Sequence, residues 1–273
     1  MIVIANNNGE ETRIAPKILI NGFPKSGLHL TELMVTCMAR PFVEKPWIST
    51  FKDSAWNTEF QDIEFIKQRF WCPIEDTYVK GHCGYTPELE KMFYDFKYGI
   101  IFVHRDLRDV AVSQAHHVVS DKEELIHPDK DLYKALPTHE DVLKAVITGL
   151  DKYPGLIERW EQFAGWLDAR WVLKLRFEDI KDNLKNTAEL MVRYAYGRAA
   201  QIKGLKVSLD GRGVDWMVDA MLKMSKRTDL SATFRKGTTQ QWRKEFTPEV
   251  TKLFKECAGD WLIKMGYEKD NDW

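Results

Sequence analysis

KILINGFPKSGLHLTELMVTCMAR, residues 17–40, decides the fold. Three apolar residues, Ile18, Leu19 and Ile20, form a short strand, and the loop after it carries Gly22, Pro24, Lys25, Ser26 and Gly27. That loop opens a helix whose apolar positions are Leu30, Leu33, Met34, Cys37 and Met38. Strand, glycine-bearing loop and helix in this order make a phosphate cradle, because the first N–H groups of a helix are unpaired and its dipole is positive at that end. Gly22 and Gly27 keep the G-x-x-x-x-G spacing of nucleotide triphosphatases, but Leu28 and His29 stand where that pattern places Lys and the metal-holding Ser or Thr. The one lysine, Lys25, lies inside the loop. A loop so built can surround a phosphate without holding magnesium, and Lys25 can neutralise charge on a leaving oxygen.

Working outward, the same unit recurs. Residues 98–104, YGIIFVH, are apolar enough for a strand buried on both faces of a parallel sheet; Arg105 and Asp106 form its turn and Leu107–Val119 the next helix. Thr77–Val79 make a shorter strand ending in Lys80, Gly81 and His82, and WVLKLRF at 171–177 another. Helices are expected over residues 139–152, 156–168, 178–196, 214–224 and 248–265, with 197–213 irregular and 120–138 a charged, proline-bearing mobile surface segment or lid. Strands alternating with helices predict one α/β domain over 17–273: a P-loop-like parallel β-sheet with helices on both faces and binding loops at the carboxyl ends of its strands. Residues 1–16 read as a loose, flexible N-terminal arm.

Composition narrows the function. A net charge of −1 across 273 residues lacks the cationic excess of a dedicated nucleic-acid binder, so no nucleic-acid partner is expected. No apolar run approaches the roughly 20 residues of a membrane span and the start lacks a basic, apolar leader, so no membrane partner is expected and the simplest address is cytoplasmic. Four cysteines without C-x-x-C spacing suggest neither a disulfide framework nor a zinc site. His29 with Glu32 supplies only two ligands, too few for a metal. The aromatics between Phe42 and Trp71 read as core or as the wall of an acceptor pocket.

Pro24–Gly27, PKSG, resembles the 5′-phosphosulfate loop of sulfotransferases that use 3′-phosphoadenosine 5′-phosphosulfate (PAPS) and release adenosine 3′,5′-bisphosphate (PAP). Three further stretches agree in order. Residues 105–113, RDLRDVAVS, are similar to the family's 3′-phosphate motif, which assigns phosphate contacts to Arg105 and Ser113. Residues 234–247, FRKGTTQQWRKEFT, resemble its second 3′-phosphate segment, with Arg235, Lys236 and Gly237 as the matching trio. The histidine of K-x-H, here His82, matches the base that takes the acceptor's proton, a task suited to imidazole. The resemblance implies direct in-line sulfuryl transfer to a hydroxyl or amine of a small-molecule acceptor. It makes His82 and Lys25 the expected catalytic residues, with Pro24, Ser26, Gly27, Leu28 and His29 completing the expected cofactor loop and no metal expected.

Departures are local. Leu28, His29 and Leu30 replace the Thr-Thr-Trp that many members carry, leaving Trp216 or Leu30 to hold adenine, and Phe177 stands where a tyrosine is common. Gln240 and Gln241 replace Gly-Asp before Trp242, and Pro248 after Thr247 breaks the dimer signature, so monomer and homodimer both stay open. HRDL at 104–107 imitates a kinase catalytic loop, but Ala111 occupies the position of its asparagine. A cysteine nucleophile at Cys83 is weaker, because neighbours on a strand point to opposite faces. A phosphotransferase of the same loop class and a non-catalytic nucleotide binder are the alternatives.

Overall fold

In the computed structural model the described residues are 2–5, 11–41, 47–49, 67, 75–121, 127, 129–205, 209, 211–227 and 237–273. Their centre is a six-stranded sheet in which every pairing is parallel. Strand β3 (Lys17–Gly22) lies between β6 (Thr77–His82) and β7 (Gly99–His104). Strand β10 (Val172–Arg176) flanks β7, while the short β4 (Arg40–Pro41) and β5 (Trp47–Ser49) pair with β6. The chain leaves β3 toward β6 and then returns to the other side for β7. The carboxyl end of β3 is therefore the point where strand order reverses, the place where open α/β sheets bind ligands.

The period of two along each strand sorts the core into two layers. Leu19, Val79, Ile100 and Phe102 face one side and meet Val110, Leu143, Trp160 and Phe254. Ile18, Ile20, Tyr78, Ile101 and Val103 face the other and meet Met34, Val192, Met217 and Met221. The first layer is supplied by helices α2 (Pro87–Asp95), α3 (Leu107–Val118), α5 (His139–Thr148), α6 (Leu156–Ala164) and α11 (Pro248–Lys264). The second is supplied by α1 (Leu28–Val35), α8 (Leu184–Ile202) and α9 (Arg212–Met224). Three short α-helices, α4 (Lys130–Lys134), α7 (Phe177–Asp182) and α10 (Trp242–Glu245), and a 3-10 turn at Gly165–Leu167 complete the described set. The expected α/β architecture with helices on both faces is what the chain forms.

Four local readings need correction. Residues 1–16, expected as a loose arm, contain an antiparallel pair, β1 (Ile2–Ala5) with β2 (Glu11–Ile14). The expected helix 139–152 stops at Thr148, because Gly149 adopts φ 100 and starts a short ribbon of β8 (Gly149–Leu150) and β9 (Tyr153–Pro154). Helix α8 runs through Gly197 to Ile202 where irregular chain was expected. Glycine costs a helix roughly 1 kcal/mol relative to alanine, and the burial of Ala195, Tyr196, Ala199 and Ala200 on the same helix outweighs it. Within the expected lid, α4 forms and buries Tyr133 completely. The aromatic region 42–71 lies outside the described residues except for the backbone of β5 and Lys67.

Candidate active site

Strand register places the site. Asn21 pairs with Gly81 and Gly22 with Val103, so the residues just beyond, His82 on one side and Arg105 on the other, flank the start of the loop. Asn21, fully buried, fastens this end: its amide donates to the Cys83 carbonyl at 3.0 Å and accepts from the Cys83 N–H at 2.8 Å. Cys83 itself is buried in the core, which removes the nucleophile alternative. At Gly22 the strands approach so closely that a Cβ would lie 2.8 Å from the Val103 carbonyl oxygen.

The loop turns on positive φ angles, 70 at Lys25 and 100 at Gly27. A Cβ on Gly27 would lie 2.3 Å from the Phe177 ring, so both conformation and space demand glycine there. Helix α1 begins with no side-chain cap and no acidic residue in its first turn. Its leading N–H groups and positive dipole end are thus left for an anion. Ser26 is 1% exposed and its Oγ has no hydrogen-bond partner among the described residues. A buried hydroxyl without a partner is unfavourable by about 1–3 kcal/mol unless something outside the chain completes it. Pro24 and His29 are half-buried and Leu28 is buried. His29 lies 3.7 Å from Glu32, whose carboxylate is engaged by Lys80 at 2.6 Å and Tyr78 at 3.2 Å. This carboxylate is therefore neutralised by Lys80.

His82 closes the other side. Its Nδ1 is 2.6 Å from the Gly22 carbonyl oxygen, which can only accept. Nδ1 therefore carries the proton and donates it, making Nε2 the basic nitrogen. Burial pushes the imidazole down to about 4; the Gly22 bond opposes this, while electrostatic interaction with His29, Lys25 and Lys80 adds to it. The Lys25 charge acts on His117 as well, where burial again comes first and the imidazole is pushed down to about 3. Lys25 is thus within electrostatic reach of both histidines.

Arg105, 5% exposed, joins three segments. One guanidinium nitrogen donates to the Lys25 carbonyl at 3.4 Å; the other donates to the Thr238 carbonyl at 2.8 Å and to Asp109 at 3.3 Å. The plane covers the Phe177 ring with its carbon 4.6 Å from the ring centre, and its Nε has no partner among the described residues. Ser113, half-buried, follows two turns along α3. Gly237 adopts φ 57 beside Thr238, so the segment after it reaches the same place; Arg235 and Lys236 lie outside the described residues.

Sequence reasoning overlooked Asp109. Its carboxylate is 1% exposed and accepts from the N–H groups of Gln240 at 2.8 Å and Trp242 at 3.1 Å, tying residues 237–242 to α3. Burial holds its carboxyl above the ordinary range, with Arg105 and the two N–H groups opposing. The second acidic residue of R-D-L-R-D, one turn after Arg105, was the available signal. Beneath it, Arg108 bonds Asp106 at 2.7 Å and Glu268 at 2.5 Å between the rings of Trp242 and Trp273. The carboxyl-terminal segment thereby braces the same corner.

The arrangement offers an anion-ready helix end, a lysine, a neutral imidazole and an arginine bridging two loops. Comparison with known proteins shows the family and the fold. The family described as Sulfotransferase domain matches residues 15–266. No curated protein matches the chain. Among solved structures, mouse sulfotransferase SULT7A1 complexed with PAP superposes with a TM-score of 0.57 at 18% identity, covering 90% of this chain and 85% of that one. Retinol dehydratase in complex with retinol and PAP gives 0.55 at 17% identity, covering 92% and 82%. The same enzyme with androsterone and PAP gives 0.53 at 17%, covering 90% and 80%.

Proposed function

The chain belongs to the sulfotransferase domain family, and from that premise we propose that it moves a sulfuryl group from PAPS to a hydroxyl or amine of a small molecule. The observation that carries the reading is the meeting of Lys25, His82 and Arg105 around one uncapped helix end. The Ser26 hydroxyl and Arg105 Nε, without partners among the described residues, fit an anionic nucleotide: both are buried polar atoms that phosphate oxygens would complete. The structures of SULT7A1 and retinol dehydratase, both bound to PAP, support that choice of ligand.

In this reading Pro24–His29 and the start of α1 hold the 5′ side, while Arg105, Ser113 and the 235–237 segment hold the 3′-phosphate. Leu30 and Trp216, the residues the sequence offers for adenine, sit on helices α1 and α9, which pack against each other. PAPS supplies the activated sulfuryl group when bound. His82 takes the acceptor's proton at Nε2, and being neutral at pH 7 it is ready to do so. The Lys25 ammonium and the α1 dipole stabilise charge that develops on the leaving phosphate. None of these tasks needs a metal ion. Among the described residues no helix is long and apolar enough to cross a membrane, and a cytoplasmic enzyme acting on a small acceptor is the reading that composition favours.

Sulfuryl transfer from PAPS should be measured over a panel of phenols, alcohols and amines with a chelator present. Turnover is expected without added metal, and Lys25→Ala should lower it by roughly 10²–10³. Wild-type turnover in Lys25→Ala overturns the assignment. Strict magnesium dependence with ATP would instead make the protein a phosphotransferase, and tight PAP binding without turnover a nucleotide sensor.

A further inference from the structure

On the first core layer three ligating side chains converge from elements far apart in the sequence. His116 comes from the last turn of α3, His139 is the first residue of α5, and Glu245 ends α10. Nε2 of His116 lies 2.8 Å from Oε2 of Glu245, and Nε2 of His139 lies 3.0 Å from the same oxygen. The two imidazoles are 4.7 Å apart centre to centre, and the three ligating atoms all lie within 4.8 Å of one another. We infer that His116, His139 and Glu245 form a binding site for a divalent transition-metal ion of the zinc type.

The donor set is the argument. Two imidazole nitrogens and one carboxylate oxygen suit zinc, whose bonds of roughly 2.0–2.2 Å in a tetrahedron place donors about 3.3 Å apart. The two imidazole–carboxylate contacts need to open by only a few tenths of an ångström to reach that spacing. The histidine side chains are 35% and 40% exposed and the glutamate 18%, so an ion can enter and water can take the fourth position. No other group of three such residues converges among the described residues, so the cluster is not one example of a common surface pattern here.

The consequence is mechanical rather than chemical. Glu245 closes the helix that follows the Gly237–Gln241 segment, and Asp109 already ties that segment to α3. An ion on His116, His139 and Glu245 clamps α10 to α3 and α5, holding the segment against the helix that begins beside Arg105. No step of the proposed transfer is routed through such an ion, so the site stands or falls independently of the proposed activity.

The test uses the full chain stripped of metal with a chelator, titrated first with Co²⁺ and then with Zn²⁺. One equivalent of Co²⁺ should give visible d–d bands without a thiolate charge-transfer band, and Zn²⁺ should displace it and raise the melting temperature. His139→Ala and Glu245→Gln should each weaken binding at least about tenfold, while melting in the absence of metal confirms that each variant is folded. The wild-type Co²⁺ spectrum decides alone if a variant fails to fold. Absence of stoichiometric binding, a thiolate band, or unchanged affinity in both folded variants overturns the site.

Discussion

The carbonyl oxygen of Gly22, at the end of β3, lies 2.6 Å from Nδ1 of His82, at the end of β6. One backbone acceptor therefore fixes both the tautomer and the direction of the imidazole, and it belongs to the strand that feeds the anion loop. The proposed base and the loop proposed to cradle the leaving group are held to one another by a single peptide unit.

His82 sets a pH dependence whose sign follows from burial. Its imidazole is pushed down to about 4, with Lys25, His29 and Lys80 adding to the burial effect, against an ordinary value of 6.5. The base stays neutral above that lower value, so the acidic limb of kcat/KM should fall near pH 4 and not near 6.5. Stability runs the same way. The unfolded chain binds the proton first, so stability declines as pH drops from 6.5 toward 4 and this contribution levels off below. Denaturant melts at pH 7 and pH 5 should show a smaller loss in His82→Gln than in wild type. His82→Ala should lower turnover by about 10²–10⁴; an acidic limb that persists unchanged in that variant's residual activity removes His82 as the base.

Gly27 carries a double constraint, a φ of 100 and a ring that a Cβ would meet at 2.3 Å. Gly27→Ala should destabilise the protein by at least about 1 kcal/mol from the backbone alone, with Phe177 displaced in addition. Because Phe177 supports Arg105, PAP affinity measured by calorimetry should fall more than tenfold even where the variant remains folded. An alanine variant of wild-type stability would show that the loop relaxes freely.

Asp109 offers a sharper probe of the side proposed to hold the 3′-phosphate. Asp109→Ala leaves the Arg105 guanidinium buried without its carboxylate and frees the Gln240 and Trp242 N–H groups. A loss of roughly 3–5 kcal/mol is expected from breaking a buried pair of this kind. Asp109→Asn keeps an acceptor oxygen and should restore part of the stability while still weakening PAP. Unfolding curves and PAP titrations on the two variants separate these effects. Equal PAP affinity in wild type and Asp109→Asn would show that the 237–242 segment takes no part in binding.

The sequence by itself determined the strand, loop and helix of residues 17–35, the two-sided burial of 99–104 and the α/β class. Those features are local: a period of two or 3.6, a glycine spacing, a proline at a helix start. Resemblance to the family's motifs also pointed to Lys25, His82 and Arg105 as the residues of the proposed site. The run of α8 past Gly197 was not legible, because a helix-weakening residue is overruled by packing that only the folded chain supplies. Tertiary structure alone decided that Gly22 faces His82, that Asp109 receives the N–H groups of residues more than a hundred positions away, and that His116, His139 and Glu245 converge. Strand order and helix docking bring these groups together, and no periodicity within a short window encodes which distant segments will become neighbours.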